Sequence, residues 1–486
     1  MPQNAHFHLQ PSERQLFLDD VDVESIDHLR KTFHPPEKKG AVIRRIPGIG
    51  GYPEIRTAPA WDPTAQRWKI WTVCVTPEEL QGQAGLSGYH ESRDGVHWSV
   101  PQTGQVEYKG SYANNFVFIP MGDGRTGEIF GAVYDGTDPD PARRYKAITY
   151  TRKPVQSIRF ATSPDGIVWT RLDVPPVPSQ DEPNFSFDEQ HHQFIATVKV
   201  QGPYGRSHAL TTSPDFAHWA EPVLVFHADA QDQEEAKEII ARHVADPTRQ
   251  QPVFVHPEEW ATDVYNFAIS RYESRYIGFG SFFYHTGRAW EGRNHDGFHQ
   301  VQLAVSQDMK TWTRVGNRQP FLAPSPLNAG AYDTFQILGP SRPILREDEL
   351  WLYYSGLKHR WPPEQMTNDR NGICLATLRR DGFVSLAADA TGGTVTTQPF
   401  THDGAQLYLN GDAHAGLITC ELLNLANEPL PGFEQTNCLP LTGDSTRLSV
   451  QWQGQAQLPA GPLRLRVYLQ NASLYSYWVE HNPSKG

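Results

Sequence analysis

The chain has 486 residues, of which 38% are hydrophobic and 11% aromatic, with 13 Trp and a formal net charge of -12. That length exceeds one ordinary core and points to two or three domains, and the acidic balance excludes the basic stripe that nucleic-acid binding needs. It suits a neutral ligand, or an anionic one met by local clusters of Arg and Lys.

No apolar run approaches about 18 residues, so no transmembrane helix is expected. The opening MPQNAHFHLQPSERQ lacks the charged and apolar stretches of a signal peptide, which points to the cytoplasm. Gly and Pro, 39 of each, are spread along the chain and favour many short strands and turns over long helices. The four cysteines (Cys74, Cys374, Cys420, Cys438) show no CxxC or zinc spacing. They read as reduced core thiols, with a Cys420–Cys438 disulfide as the alternative.

In chain order, Leu16-Phe-Leu-Asp-Asp20 is the first strand signal, followed by Arg67-Trp-Lys-Ile-Trp-Thr-Val-Cys74 and the turn Ser92-Arg-Asp94-Gly-Val-His-Trp98. The same grammar returns after Ile158-Arg-Phe-Ala161 as Ser163-Pro-Asp165-Gly-Ile-Val-Trp169. It returns again after the strand at 193–200 as Ser213-Pro-Asp215-Phe-Ala-His-Trp219. One segment, 231–242, looks helical. Strands at 276–283 and 301–304 then lead into Ser306-Gln-Asp308-Met-Lys-Thr-Trp312, and a strand at 349–354 precedes a degenerate copy, Leu378-Arg-Arg-Asp381-Gly-Phe383. In each turn the Asp can accept backbone N–H bonds, and the Trp four residues on opens the next strand and packs between sheets.

Copies roughly 50 to 90 residues apart leave room for four-stranded blades with variable loops. The expectation is an all-β protein: a five-bladed β-propeller over residues 1–385, with 16–20 supplying a closing strand, and a C-terminal β-sandwich over 386–486. Strands at 405–410, 417–423, 446–452 and 463–469 carry the sandwich spacing. Its expected role is packing against the propeller or forming a homo-oligomer.

The SxDxxxW turns, the sandwich behind them and acids near the first strand of each blade resemble the five-bladed glycoside hydrolases of the invertase, levanase, arabinanase and xylosidase type (families 32 and 43). Gln15-Leu-Phe-Leu-Asp-Asp20 also resembles bacterial proteins related to them. The chain departs from the invertase pattern: it has no WMNDPNG motif, no RDP triplet and no Glu-Cys pair. The resemblance implies a carbohydrate substrate and glycoside hydrolysis, with fructo- or arabinofuranosides first. A silent carbohydrate-binding propeller, or a lyase or transferase on an acidic sugar, stands beside it.

Glycoside cleavage needs two carboxyl groups, one acid and one base or nucleophile, and the first strand of each propeller blade lines the central channel. Glu54 and Arg56 share one face of the first such strand. Asp181 and Glu182 precede the third blade, only one of them facing inward. Asp263 enters the apolar start of the fourth blade, where an acid is costly unless paired or functional, and Asp333 repeats that logic in the fifth. These five acids are the candidate catalytic residues. Candidate substrate contacts are Arg56, Asn114, Asn115, Tyr265 and Gln336, with Lys358 and Arg360 closing the site. The loop from His285 through Trp290, His295 and Asp296 to His299 is dense enough for polyol recognition. No cofactor is expected, a channel ion such as calcium being the only candidate, and no helix fixes two metal ligands at i and i+4.

Overall fold

A computed structural model describes residues 6–481 apart from 50, 81–84, 123, 153–154, 289–293, 328–329, 361–368 and 456. Five antiparallel sheets form the blades of a β-propeller. Their inner strands are Ala60–Asp62, Gly131–Tyr134, Asn184–Asp188, Ala261–Tyr272 and Gln336–Leu338. The isolated bridge between Glu54 and Val73 carries the first inner strand back to Glu54. Buried hydrogen bonds stitch neighbouring blades together at four of the five junctions. Thr57 donates to the Ala132 carbonyl at 3.0 Å, Asn184 to Asn266 at 2.5 Å, and the Gly339 N–H to Ser281 at 2.9 Å. The ring closes where the Ile55 N–H donates to Ser355 at 2.8 Å.

Glu37–Arg44 is the strand that completes the fifth blade, pairing antiparallel with Asn371–Arg379. Leu16–Asp20 takes no part in the ring, because Gln15–Leu16 pairs with Ala472–Glu480. The outer position explains why Glu37–Arg44 escapes pattern reading: with one buried residue in eight and four charges, it lacks the clean alternation of a half-buried strand.

The repeated turns have one geometry. In the second blade, Asp165 Oδ1 accepts the N–H groups of Ile167 at 2.8 Å and Val168 at 3.0 Å, while Ser163 Oγ accepts that of Gly166 at 2.8 Å. Trp169 then donates its indole N–H to the Gly166 carbonyl at 3.1 Å. The residue after the Asp is left-handed in all four copies, and two of them place Phe216 and Met309 there at φ 61°. That backbone costs about 1–2 kcal/mol, offset by burying both side chains. Asp165→Ala is expected to lose about 1–2 kcal/mol of stability, read as a lower urea midpoint at unchanged m.

The fifth copy differs. Asp381 itself adopts φ 61°, so its carboxylate leaves the turn and enters a fully buried network. There it accepts from Arg14 at 2.7 Å, Tyr272 at 2.6 Å, Ser476 at 2.5 Å and Asn410 at 3.0 Å. This network joins the propeller to a nine-stranded sheet built from the C-terminal strands together with Gln15–Leu16, Val23–Asp27 and Arg30–Phe33. Residues before Glu37 therefore pair with the C-terminal region. The long strand Gln406–Leu423 pairs with Ala472–Glu480 along its first half and Arg464–Gln470 along its second, and both halves share one apolar core. All four cysteines are free thiols.

The expected helix forms as Ala230–Ala245, started by a reciprocal cap between Asp229 and Asp232. Asp232 also binds Arg314 at 3.0 Å, which ties the helix to the fourth blade. Among the described residues no helix is long and apolar enough to cross a membrane.

Candidate active site

A cavity of about 310 Å³ opens among the first, fourth and fifth blades. Glu54 comes from the first inner strand, Tyr265 and His299 from the fourth blade, and Gln336 from the fifth, with Asn294 and Arg360 from loops. Hollows of 570 and 680 Å³ lie beside the helix and under the N-terminal strands, but neither is lined by the inner-strand acids.

At the acid end, Arg56 is 2% exposed and its Nη2 lies 3.0 Å from Glu54 Oε2 and 2.5 Å from Glu182 Oε2. Burial works against the guanidinium's charge, but Glu182 and Glu54 outweigh it and hold Arg56 protonated. Asn371 donates to the second oxygen of Glu54 at 2.9 Å. The expected shared face of Glu54 and Arg56 is thus a direct ion pair. Of the adjacent acids, Glu182 reaches Arg56, while Asp181 turns to Lys199 at 3.3 Å. Lys199 in turn lies over the Tyr265 ring, 4.2 Å from its centre.

A third acid, absent from the sequence-based candidates, does not line the cavity but feels the charges of this cluster. Glu128, three residues before the inner strand of the second blade, accepts the Cys74 N–H at 2.8 Å. Burial, reinforced by the charges of Glu182 and Glu54 and opposed by the Cys74 N–H and Arg56, pushes its carboxyl up to about 7. The signal was present, since Glu128 precedes Ile129-Phe-Gly-Ala-Val-Tyr134 as Glu182 precedes the third blade. Asn114 donates to the Val106 carbonyl at 2.8 Å and Asn115 to that of Tyr89 at 2.9 Å, and neither lines the cavity.

Tyr265 reaches the cavity through a β-bulge, where the register with the next strand shifts between Val264 and Asn266. Asp263, beside it, is 3% exposed and accepts from Arg206 Nη1 at 2.8 Å, with His285 Nε2 at 3.4 Å. Burial would raise its carboxyl, but His285 and Arg206 more than offset this and hold it at about 2. The Gly205 turn makes the pairing possible, because a Cβ there would stand 3.0 Å from Asp263 Oδ2 at φ +100°. His285 stacks on His295, which meets Arg288 at 2.8 Å.

Other candidates lie outside the cavity. Asp333 binds Lys38 at 2.6 Å and the Tyr354 hydroxyl at 2.9 Å, deep in the fifth blade. Asp296 uses its oxygens to accept backbone N–H groups, at 2.7 Å from Val253 and 2.9 Å from Gly297. Lys358 pairs with Asp369 at 3.0 Å. Trp290 lies outside the described residues. No group of three metal-ligating side chains is found among the described residues.

Compared with known proteins, the chain matches no family model and no curated protein. Among solved structures it resembles an N-acetylgalactosamine deacetylase from F. plautii in complex with blood group B trisaccharide. The TM-score is 0.42 at 14% identity, over 73% of this chain and 96% of that one. It also resembles a GH32 β-fructofuranosidase of Bombyx mori, at 0.42 and 13% over 92% and 94%. A fructan 1-exohydrolase of Cichorium intybus in complex with 1-kestose matches at 0.40 and 10% over 93% and 98%. One fold hosts many chemistries, so the reaction has to be argued from this chain's own residues.

Proposed function

We propose that the chain is a glycoside hydrolase whose acid–base pair lies at the Glu54–Glu128–Glu182 cluster. The observation that carries this reading is the division of labour among three glutamates around one buried arginine. Two are salt-bridged to Arg56, and the third is pushed by burial to a pKa near neutrality. Environments that push neighbouring carboxyl groups apart are what acid–base chemistry at neutral pH requires.

Glu54, facing the cavity and oriented by Arg56 and Asn371, attacks the anomeric carbon or activates water. Glu128 donates the proton to the leaving oxygen. Glu182 keeps Arg56 in place, and its negative charge favours the oxocarbenium-like transition state. Asp263, held near 2, stays ionised at neutral pH and serves no donor role; Asp333 is too occupied with Lys38 to act. The sequence resemblance puts furanosides first among substrates.

The test is a hydrolysis screen of nitrophenyl furanosides, nitrophenyl pyranosides and fructo-oligosaccharides. Product from the wild type and none from Glu54→Gln supports the reading. No product from any substrate overturns it in favour of a binding propeller.

Glu128 makes the donor role separately testable. Glu128→Gln is expected to cost about 10²–10⁴ on a glycoside with a poor leaving group and far less on an activated aryl glycoside. The wild-type alkaline limb near pH 7 should vanish with it. The same substitution flattens stability. A carboxyl raised from 4.5 to about 7 binds more protons folded than unfolded, so folding stability falls as pH rises between those values. Glu182→Gln showing the leaving-group pattern instead would transfer the donor role to Glu182.

A further inference from the structure

The wall of the cavity away from the glutamates carries donors without partners among the described residues. Arg206 and Arg360 flank Phe283, their guanidinium carbons 5.8 and 5.2 Å from its ring centre. Arg206 is neutralised by Asp263 at 2.8 Å. Arg360 has no hydrogen bond or ion pair among the described residues, and its Nε is buried. The acids whose charge reaches Arg360 are engaged elsewhere: Asp296 with backbone N–H groups, Glu54 with Arg56 and Asn371.

His299 is a second, independent observation. It is 1% exposed, lines the same cavity, and neither ring nitrogen has a hydrogen-bond partner among the described residues. Buried polar groups left without partners are costly and rare, and here two of them share one wall. Burial and the charge of Arg360 keep this imidazole neutral, leaving one nitrogen to donate and the other to accept.

We infer that this wall is an anion subsite, in which Arg360 and His299 bind a carboxylate, sulfate or phosphate group carried by the sugar. The guanidinium's planar fork suits such oxygen pairs. Asn294, whose side-chain oxygen accepts from Arg206 at 3.3 Å, and Gln336 flank it with further amides. Acid at one end and uncompensated positive charge at the other orient the sugar, with its anomeric carbon toward Glu54. The inference rests on the glycoside reading only in placing a sugar in this cavity.

Free monosaccharides have no glycosidic bond to cleave, so the wild-type protein itself serves for calorimetry. The probes are glucuronate, galacturonate, glucose 6-sulfate and glucose 6-phosphate, against glucose and galactose. At least one anionic sugar is expected to bind tenfold or more tightly than its neutral parent, and which one does so separates carboxylate from sulfate and phosphate. That preference should shrink with added salt and disappear in Arg360→Gln, with partial recovery in Arg360→Lys. Equal binding of charged and neutral sugars, no binding of any, or a preference untouched in Arg360→Gln overturns the subsite. The salt titration on the wild type decides the matter if Arg360→Gln does not fold. An anionic preference without any hydrolysis would sink the hydrolase reading alone, whereas cleavage of neutral glycosides with no such preference would sink only the subsite.

Discussion

Glu54→Gln is expected to lower kcat by about a thousandfold on the best substrate of the screen while the protein remains folded. The magnitude is that of removing a positioned catalytic carboxylate. The substitution is close to isosteric, and the amide oxygen still accepts from Arg56. Near-wild-type melting with lost turnover therefore separates chemistry from folding. Asp333→Asn is the matched control. It also removes a buried inner-blade carboxylate, but one bound to Lys38 and Tyr354 away from the cavity. It should lower stability and leave kcat of the folded fraction unchanged. Loss of turnover in Asp333→Asn with none in Glu54→Gln would move the catalytic centre to the fifth blade.

Asp381→Ala should be the most destabilising single substitution on the join between propeller and C-terminal sheet, at about 3–5 kcal/mol. Its carboxylate is fully buried and accepts from four side chains on four separate segments. Truncation strands the Arg14 guanidinium, which packs 3.8 Å from the Trp478 ring centre, without its counter-charge. Burial works to raise this carboxyl, but Arg14, Ser476, Tyr272 and Asn410 hold it down. The lost stability is therefore present above the ordinary Asp range and fades as pH falls through the lowered folded value. Urea unfolding at pH 7 and pH 3 measures both effects. The exposed Arg447–Glu480 pair supplies the contrast, with less than about 1 kcal/mol expected on its removal. A loss below about 1 kcal/mol in Asp381→Ala would show that the join is carried by apolar contact instead.

What the sequence alone determined about this protein is what its neighbouring residues decide among themselves. The SxDxxxW turns bond within a span of seven residues, so their spacing announces the blades before any tertiary contact is considered. The helix cap at Asp229 and Asp232 and the Glu54–Arg56 pair are local in the same sense.

Tertiary structure decided everything that depends on a distant partner. Asp263, Asp333 and Glu182 look alike as acids entering apolar strands, and their fates part because Arg206 and Arg56 arrive from other blades and Lys38 from the N-terminal strand that closes the fifth. The Glu128 carboxyl is pushed up only by what folding brings around it: burial, and the charges of Glu182 and Glu54. Asp381 repeats the turn motif in sequence, yet one residue's displacement into a left-handed conformation sends its carboxylate to Arg14, 367 positions away. The closing strand, too, was hidden at Glu37–Arg44, because an outer edge facing water needs no apolar alternation. Local hydrogen bonds write themselves into spacing; the pairing of charges across blades depends on which side chains the closed ring brings together, and no period in the sequence records that.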